Sequence, residues 1–202
     1  MRNWATRAVG ELAHRRDEIN ALNVFPVPDS DTGSNMAHTM EAAVAELDNG
    51  GDVADSLALG AVRGARGNSG MVLSQVLRGV AESTVDSVID GAVFVRSLKQ
   101  AVELVDRAIA EPVEGTVITV LKAAAEAADD AEAQSGATLH SIVSAAIAAA
   151  ETALERTPSQ LPALREAGVV DAGGAGLVIL LESLLAEIEG STGHTGLPEP
   201  EP

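Results

Sequence analysis

Apolar residues recur at helical spacing through most of this chain of 202 residues, and no comparable stretch alternates with a period of two. Residues three or four positions apart share one face of a helix, so each such series indicates one buried stripe. The clearest series lie within residues 36–47, 72–80, 94–109, 117–124, 139–154 and 177–188. With a first helix before Asn20 and a weaker one near Val53 to Val62, the sequence predicts about eight helices.

The connections between these helices are short and contain Gly or Pro, which favours antiparallel neighbours. The hydrophobic content of 46% comes almost wholly from Ala, Leu and Val, and such small side chains suit closely packed helices. Val169 and Val170 are also compatible with a strand, but the glycines that follow would break its ladder, so we expect a helix starting near Asp171. The sequence therefore predicts an all-α antiparallel bundle in one domain, residues 1–189, followed by a tail at 190–202 with the composition of a linker.

Composition excludes several functions. The formal net charge of −17 repels nucleic acid and anionic lipid surfaces, so we expect neither as a partner. The absence of cysteine excludes disulfides, zinc-thiolate sites and thiol catalysis. No apolar run reaches the roughly 18 residues of a membrane span, and the first residues lack the apolar core of a signal peptide. We therefore expect no membrane insertion and a cytoplasmic location.

The first segment whose residues could bind a ligand reads NVFPVPDSDTGSNM, residues 23–36. Prolines hold the backbone extended before Asp29 and Asp31, so the two carboxylates project the same way and can hold a hard cation such as Mg²⁺. The chain is then expected to turn at Gly33 and enter a helix near Ser34, which would bring backbone amides beside the metal. The alternative is that these polar residues only cap the helix and solvate a turn.

The second segment reads GARGNSGMVLSQVLRG, residues 64–79. Its glycines would let backbone amides approach a phosphate, Asn68 and Ser69 would donate hydrogen bonds, and Arg66 would meet developing charge. The phosphate-binding pattern GxxxxGK[ST] is absent, and considered alone the segment is also interpreted as a plain turn between helices. Two further segments, PVEGTVITV at 112–120 and GVVDAGGAG at 168–176, each open a helix. Thr116 and Asp171 stand at the cap positions, where each can cap its helix or contact a ligand.

Together and in this order, these segments resemble the amino-terminal domain of bacterial fatty acid kinase and, more distantly, the nucleotide-binding subunit of dihydroxyacetone kinase. The resemblance spans nearly the whole chain and implies an antiparallel eight-helix barrel that binds ATP at one end. It also implies two Mg²⁺ ions that bridge acidic side chains and the phosphates.

The resemblance assigns Asp29 and Asp31 as metal ligands and, with Arg66, as the catalytic set. Asn23 lies near the place where the dihydroxyacetone kinase pattern has a further aspartate, so it is a third candidate ligand. The positions that the resemblance assigns to the nucleotide are Thr32, Gly33, Ser34, Asn35, Gly67, Asn68, Ser69, Gly70, Thr116, Asp171 and Gly173.

Two departures from the family pattern matter. Ser30 stands where the family usually has glycine, and a serine at positive φ would strain the backbone between the two aspartates. Thr32 stands where the dihydroxyacetone kinase relatives have histidine, which favours the fatty acid kinase branch.

The resemblance implies phosphoryl transfer from ATP to a fatty acid carboxylate presented by a partner protein, giving an acyl phosphate. We expect the chain to be inactive without further domains or that partner, and a homodimer is left open. The alternatives are a subunit that phosphorylates a small hydroxyketone, as in dihydroxyacetone kinase, and a sensor or scaffold that binds ATP without transferring phosphate.

Overall fold

The structure is a computed structural model and describes residues 1–86 and 88–190. The predicted linker therefore lies, from residue 191 onward, outside the described residues. The described part of the chain contains ten α-helices and one short 3₁₀ helix, Leu47–Asn49. The α-helices are α1 (Arg2–His14), α2 (Arg16–Leu22), α3 (Thr32–Glu46), α4 (Val53–Gly64), α5 (Gly67–Ser83), α6 (Gly91–Ala108), α7 (Val117–Glu132), α8 (Leu139–Gln160), α9 (Pro162–Ala167) and α10 (Ala172–Ile188).

Eight of these helices form a closed ring. The first, α1, packs on α3, and each helix from α3 to α8 packs on the next. The last helix, α10, packs on α8 and on α1 and so closes the ring. Neighbours alternate in direction, because α3, α5, α7 and α10 all begin at the same end of the molecule. The predicted all-α antiparallel eight-helix barrel is confirmed.

The two short helices extend the count beyond the prediction. The expected first helix is interrupted at Arg15, whose backbone leaves helical geometry (φ −96°, ψ 11°), and the chain continues as α2. The other short helix, α9, lies between α8 and α10. Helix α10 begins at Ala172 with Asp171 as its cap, as the sequence predicts, and no part of this region is a strand.

The core is built from small side chains that let helices approach closely. Fully buried alanines occur on most of the barrel helices, among them Ala8, Ala61, Ala101 and Ala146. A Cβ atom at Gly79 of α5 would lie 2.7 Å from the backbone nitrogen of Ala101 on α6, so this contact requires glycine. Larger side chains fill the interior, and the Trp4 indole donates a hydrogen bond to the Leu180 carbonyl oxygen. Every helix that the structure describes is too short or too polar to span a lipid bilayer.

Candidate functional site at one end of the barrel

A cavity of about 520 Å³ opens at the end of the barrel where α3, α5, α7 and α10 begin. One part of its wall is polar and contains most of the candidates named above: Asn23, Asp29, Asp31, Thr32, Asn35, Gly67, Asn68, Ser69, Thr116, Asp171 and Gly173. The remaining wall is mainly apolar and includes Phe25, Pro26, Val27, Met71, Val72, Ile109, Val113, Val117 and Ile118. The fold thus brings all four sequence segments to one place.

The connection before α3 carries the two aspartates into the cavity wall. Asp29 is exposed and Asp31 is partly buried, and neither forms an ion pair within the described residues. Ser30 between them has φ +54°, so serine does occupy the left-handed conformation that glycine would adopt without strain. This backbone geometry costs on the order of 1 kcal/mol.

The buried side chain of Asn23 holds this connection in place through hydrogen bonds to its backbone. Its side-chain oxygen accepts hydrogen bonds from the backbone N–H groups of Asp31 (3.0 Å) and Thr32 (3.2 Å), and its amide nitrogen donates to the Val27 carbonyl oxygen (3.1 Å). The side chain is buried at 5% exposure. Both acceptor positions of the amide oxygen are therefore occupied by the loop, so Asn23 acts here as a clamp that shapes the loop rather than as an open metal ligand.

The start of α3 is joined to α2 by another asparagine. Asn20 accepts a hydrogen bond from the Ser34 backbone N–H and donates one to the Ser34 hydroxyl, each at 3.0 Å. Gly33 lies inside the helix, where a Cβ atom would meet the Arg16 carbonyl oxygen of α2. The predicted turn at Gly33 is therefore wrong, because α3 already begins at Thr32. Gly33 and Ser34 do not line the cavity.

The start of α5 faces the cavity more openly. Gly67, Asn68 and Ser69 form its first turn and line the cavity, whereas Gly70 packs against Thr39 behind them. Arg66 occupies the cap position but provides no side-chain cap. Its guanidinium forms no ion pair within the described residues, and the exposed side chain stands beside the cavity rather than in its wall.

The starts of α7 and α10 share one carboxylate. Asp171 is buried at 6% exposure and accepts a hydrogen bond from the Gly174 N–H at 2.7 Å. Burial raises the pKa of this carboxylate to about 6, although the N–H groups of Gly174, Val117 and Gly173 act in the opposite direction and lower it. Thr116 does not cap α7 with its side chain, because its hydroxyl donates instead to the Val113 carbonyl oxygen at 2.8 Å.

The apolar wall is the part of the site that sequence reasoning missed. Much of it comes from the connection between α6 and α7, where residues 108–111 and Val113 line the cavity. The available signal was the end of the helical series at Ile109 followed by PVEG, which was interpreted only as the opening of a helix. Nothing in that periodicity indicates that the connection folds over the same opening as Asp29 and Asp31.

Comparison with protein families now identifies this arrangement. The family model for the DAK2 domain matches residues 26–186, which covers three of the four segments completely and most of the first. The chain belongs to the DAK2 domain family. Among curated proteins, the chain is similar to protein YloV of Bacillus subtilis strain 168, to which it is 40% identical over 187 residues. An uncharacterized protein of Staphylococcus saprophyticus is 38% identical over 187 residues.

Each of these two alignments covers 90% of this DAK2 chain and 34% of the relative, so the chain spans about a third of the length of the curated relatives it matches. Among solved structures, the chain resembles the dihydroxyacetone kinase of C. freundii in complex with AMP-PNP and Mg²⁺. The TM-score is 0.65 at 20% sequence identity, over 92% of this chain and 33% of that one. At this identity the likeness establishes a shared fold.

Proposed function

We propose that this DAK2 domain binds ATP with Mg²⁺ and transfers the terminal phosphoryl group to the carboxylate of a fatty acid held by a partner protein. The observation that carries the proposal is the open first turn of α5, whose amides face the same cavity as two unpaired carboxylates. A site for phosphate thus adjoins a site for a hard cation. The need for ATP makes a cytoplasmic location part of the same proposal.

The distribution of hydrogen bonds favours α5 as the phosphate subsite. At the start of α3, Asn23 and Asn20 already accept hydrogen bonds from Thr32 and Ser34. At the starts of α7 and α10, the ionised Asp171 would repel a phosphate. By contrast, at the start of α5 only the Arg66 N–H donates to a side chain, the Thr39 hydroxyl at 3.3 Å, and the N–H groups of Gly67, Asn68 and Ser69 have no side-chain acceptor within the described residues. Helix N-termini with free N–H groups bind anions through those groups and through the helix dipole.

The chemistry of the two aspartates fits magnesium. Both donate carboxylate oxygens, which Mg²⁺ prefers, and the described residues contain no group of three or more acidic, His or Cys side chains that would enclose an ion. The site therefore leaves room for phosphate oxygens and water. We propose Asp29 and Asp31 as the protein ligands of two ions and omit Asn23, whose oxygen is engaged by the loop. When bound, Mg²⁺ would neutralise phosphate charge.

The apolar wall suits the base of the nucleotide. Phe25, Ile109 and Val113 lie in this wall. Cofactor sites commonly combine an apolar wall with a few placed polar groups. The solved dihydroxyacetone kinase of the same fold is a complex with AMP-PNP and Mg²⁺, which supports this pairing of ligands.

In this phosphoryl transfer the protein forms no covalent bond to the phosphate and acts by positioning groups and stabilising charge. A fatty acid carboxylate oxygen would form a bond to the γ-phosphorus while the bond from that phosphorus to the bridging oxygen breaks, which releases ADP and leaves an acyl phosphate. The amides of α5, with Asn68 and Ser69, would hold the phosphate oxygens, and Arg66 would offset negative charge on the transferring group. A carboxylate is already ionised at neutral pH, so no base is needed, and the cavity wall contains no His or Lys.

Calorimetric titration with ATP tests the binding step. We expect binding that requires Mg²⁺ and that persists with AMP-PNP, which cannot be consumed by transfer. A well-folded chain that binds neither nucleotide in the presence of Mg²⁺ would refute the proposed site.

Transfer is tested separately by adding ATP, Mg²⁺ and a fatty-acid-loaded carrier protein and trapping acyl phosphate with hydroxylamine. An acyl hydroxamate supports the kinase assignment. Binding without product for every acyl carrier would favour the sensor, and product with dihydroxyacetone alone would favour the hydroxyketone kinase.

A further inference from the structure

Thr157 lies near the end of α8, is completely buried and does not line the cavity. Its hydroxyl donates a hydrogen bond to the Leu154 carbonyl oxygen at 2.7 Å. The next residue, Pro158, lies inside α8 and has no N–H group, so it cannot make the helical hydrogen bond to Leu154. The Thr157 hydroxyl replaces that donor. Its hydrogen is thereby committed to Leu154, which leaves its oxygen to accept a hydrogen bond from another element.

That hydrogen bond comes from the cavity wall. The backbone N–H of Asp171 donates to the Thr157 hydroxyl at 3.0 Å, in buried surroundings. The Asp171 side chain in turn accepts from Gly174 at 2.7 Å in α10 and is also acted on by the Val117 N–H at the start of α7. One continuous set of contacts therefore joins the end of α8, through Asp171, to the starts of two helices that form the cavity.

A second contact converges on the same residue. Gly115 has φ +80°, and a Cβ atom there would lie 3.0 Å from the Thr157 carbonyl oxygen. Gly115 lies in the α6–α7 connection between Val113 and Thr116, which both line the cavity. The α6–α7 connection therefore packs closely against the backbone at Thr157, while the Thr157 hydroxyl contacts Asp171.

We propose that Thr157 is a positioning residue for nucleotide binding, whose hydroxyl fixes Asp171 and thereby holds the starts of α7 and α10 in the cavity wall. This inference rests on the proposed nucleotide function. Thr157 itself contacts no ligand, so its effect on affinity must pass through Asp171.

The first test compares three single variants in calorimetric titrations with ATP and Mg²⁺. Thr157→Val removes the hydroxyl at nearly constant volume and is expected to weaken binding about tenfold, whereas Thr157→Ser keeps the hydroxyl and should bind within about twofold of wild type. Thr152→Val is the matched control, since Thr152 is an exposed threonine on the same helix whose hydroxyl donates to the Ala148 carbonyl. Equal affinities for the Val and Ser variants at position 157 would overturn the proposal.

The second test asks whether the effect passes through Asp171. In the Asp171→Ala background, which lacks the carboxylate that contacts Gly174 and Val117, adding Thr157→Val should weaken nucleotide binding by less than about twofold, because residues that act as one unit are not additive. A tenfold loss in both backgrounds would mean that Thr157 acts only by general destabilisation, which contradicts the proposal. Circular dichroism checks that each variant is folded. Thr157→Ala replaces Thr157→Val if the latter does not fold.

Amide hydrogen exchange separates this inference from the proposed function. The amides of Val117 and Gly174 should exchange faster in Thr157→Val than in wild type or Thr152→Val, with or without nucleotide. If the wild-type chain binds no nucleotide, the proposed function fails and the role assigned to Thr157 in binding fails with it. Faster exchange would then retain only the structural link to Asp171, while unchanged exchange would remove that link as well.

Discussion

Most helix N-termini are capped at one end of the barrel and left uncapped at the other. At the end away from the cavity, Asp52 caps α4, Asp90 caps α6 and Thr138 caps α8, each with a side-chain hydrogen bond to the first turn. At the cavity end, the cap residues of α3, α5 and α7 provide no such bond, and α10 alone is capped there, by Asp171. An N-cap side chain stabilises a helix by about 1 kcal/mol. The cavity end therefore forgoes local stability and keeps backbone donors for other groups.

The connections differ in the same sense. Those at the far end are largely exposed, and they need only reverse the chain. Those at the cavity end bury polar residues such as Asn23, Thr116 and Asp171, each of which has a hydrogen-bond partner. Buried polar groups of this kind specify one backbone arrangement, since each would be costly if left unpaired. The connections at the far end only join neighbouring helices, whereas those at the cavity end also fix the backbone that surrounds the cavity.

The largest expected effect is loss of magnesium-dependent ATP binding on changing either aspartate at the cavity end. Asp29→Asn or Asp31→Asn should weaken that binding on the order of a thousandfold, about 4 kcal/mol, because the cation loses a charged ligand. Isothermal titration measures the change. Asp55→Asn on α4, at the far end, is the control and should bind normally. Wild-type affinity in both cavity variants would contradict the metal assignment.

The second effect is a pH dependence of stability that arises at Asp171 in the cavity wall. Burial raises the folded-state pKa of Asp171 to about 6 from 3.8. The protonated side chain therefore stabilises the fold fully below about pH 4, and this contribution is lost as the pH rises through 6. A displacement of roughly two pKa units corresponds to about 3 kcal/mol.

Urea unfolding of wild type and Asp171→Asn at pH values from 4 to 7 measures this contribution. The difference in unfolding free energy between the two should change across that window in favour of the variant at higher pH. If the difference in unfolding free energy between wild type and Asp171→Asn does not change with pH, the ionised Asp171 cannot be the reason why phosphate avoids the starts of α7 and α10.

A cap can also be added where the cavity end lacks one. Arg66 has extended backbone geometry suited to an N-cap, so Arg66→Asn should stabilise α5 by up to about 1 kcal/mol. The same side chain would occupy the amides that we assign to phosphate, so ATP should bind more weakly. Arg66→Gln removes the same charge but caps poorly, and is the matched control. Thermal unfolding measures the stability of the two variants, and calorimetry measures their affinity for ATP. Equal stability and equal affinity for Arg66→Asn and Arg66→Gln would contradict the proposal that capping α5 weakens phosphate binding.

The smallest expected effect concerns the strained residue between the aspartates. Ser30→Gly should stabilise the fold by about 0.5–1 kcal/mol, because glycine adopts positive φ without strain, although it also loosens the unfolded chain. Ser30→Ala keeps the strain and should leave the melting temperature unchanged. A gain for alanine equal to that for glycine would mean that the hydroxyl, and not the backbone, is responsible.

The barrel was predictable because its helices are amphipathic, and apolar residues three or four positions apart in the sequence indicate each buried stripe. The start of α10 was predictable for a similar reason, since Asp171 precedes the apolar run directly. The break at Arg15 was not predictable, because neither glycine nor proline marks it. The hydrogen bonds of Asn20 and Asn23 depend on packing between elements, and a sequence pattern carries no distance across space.

The candidate site shows the same division. Eleven of the candidate residues line the cavity, which follows from four segments that each open or precede a helix at one end of an antiparallel ring. The resemblance suggested Asn23 as a ligand from its position, but only the structure indicates that its oxygen is occupied by Asp31 and Thr32. Ser30 was identified as a departure from the family pattern, and its positive φ bears out the strain expected there.

Closure of the ring between α1 and α10 has a consequence for how the chain folds. Trp4 and Leu180, which are joined by a hydrogen bond at this seam, are separated by 176 residues in sequence. During synthesis on the ribosome, α1 must wait for α10 before its apolar face is covered on that side. Contacts so distant in sequence form late and slow the search for the native topology. Packing of α1 on α10 is thus the folding step that covers the last two exposed apolar helix faces. Until that step, these faces leave the nascent chain prone to aggregation.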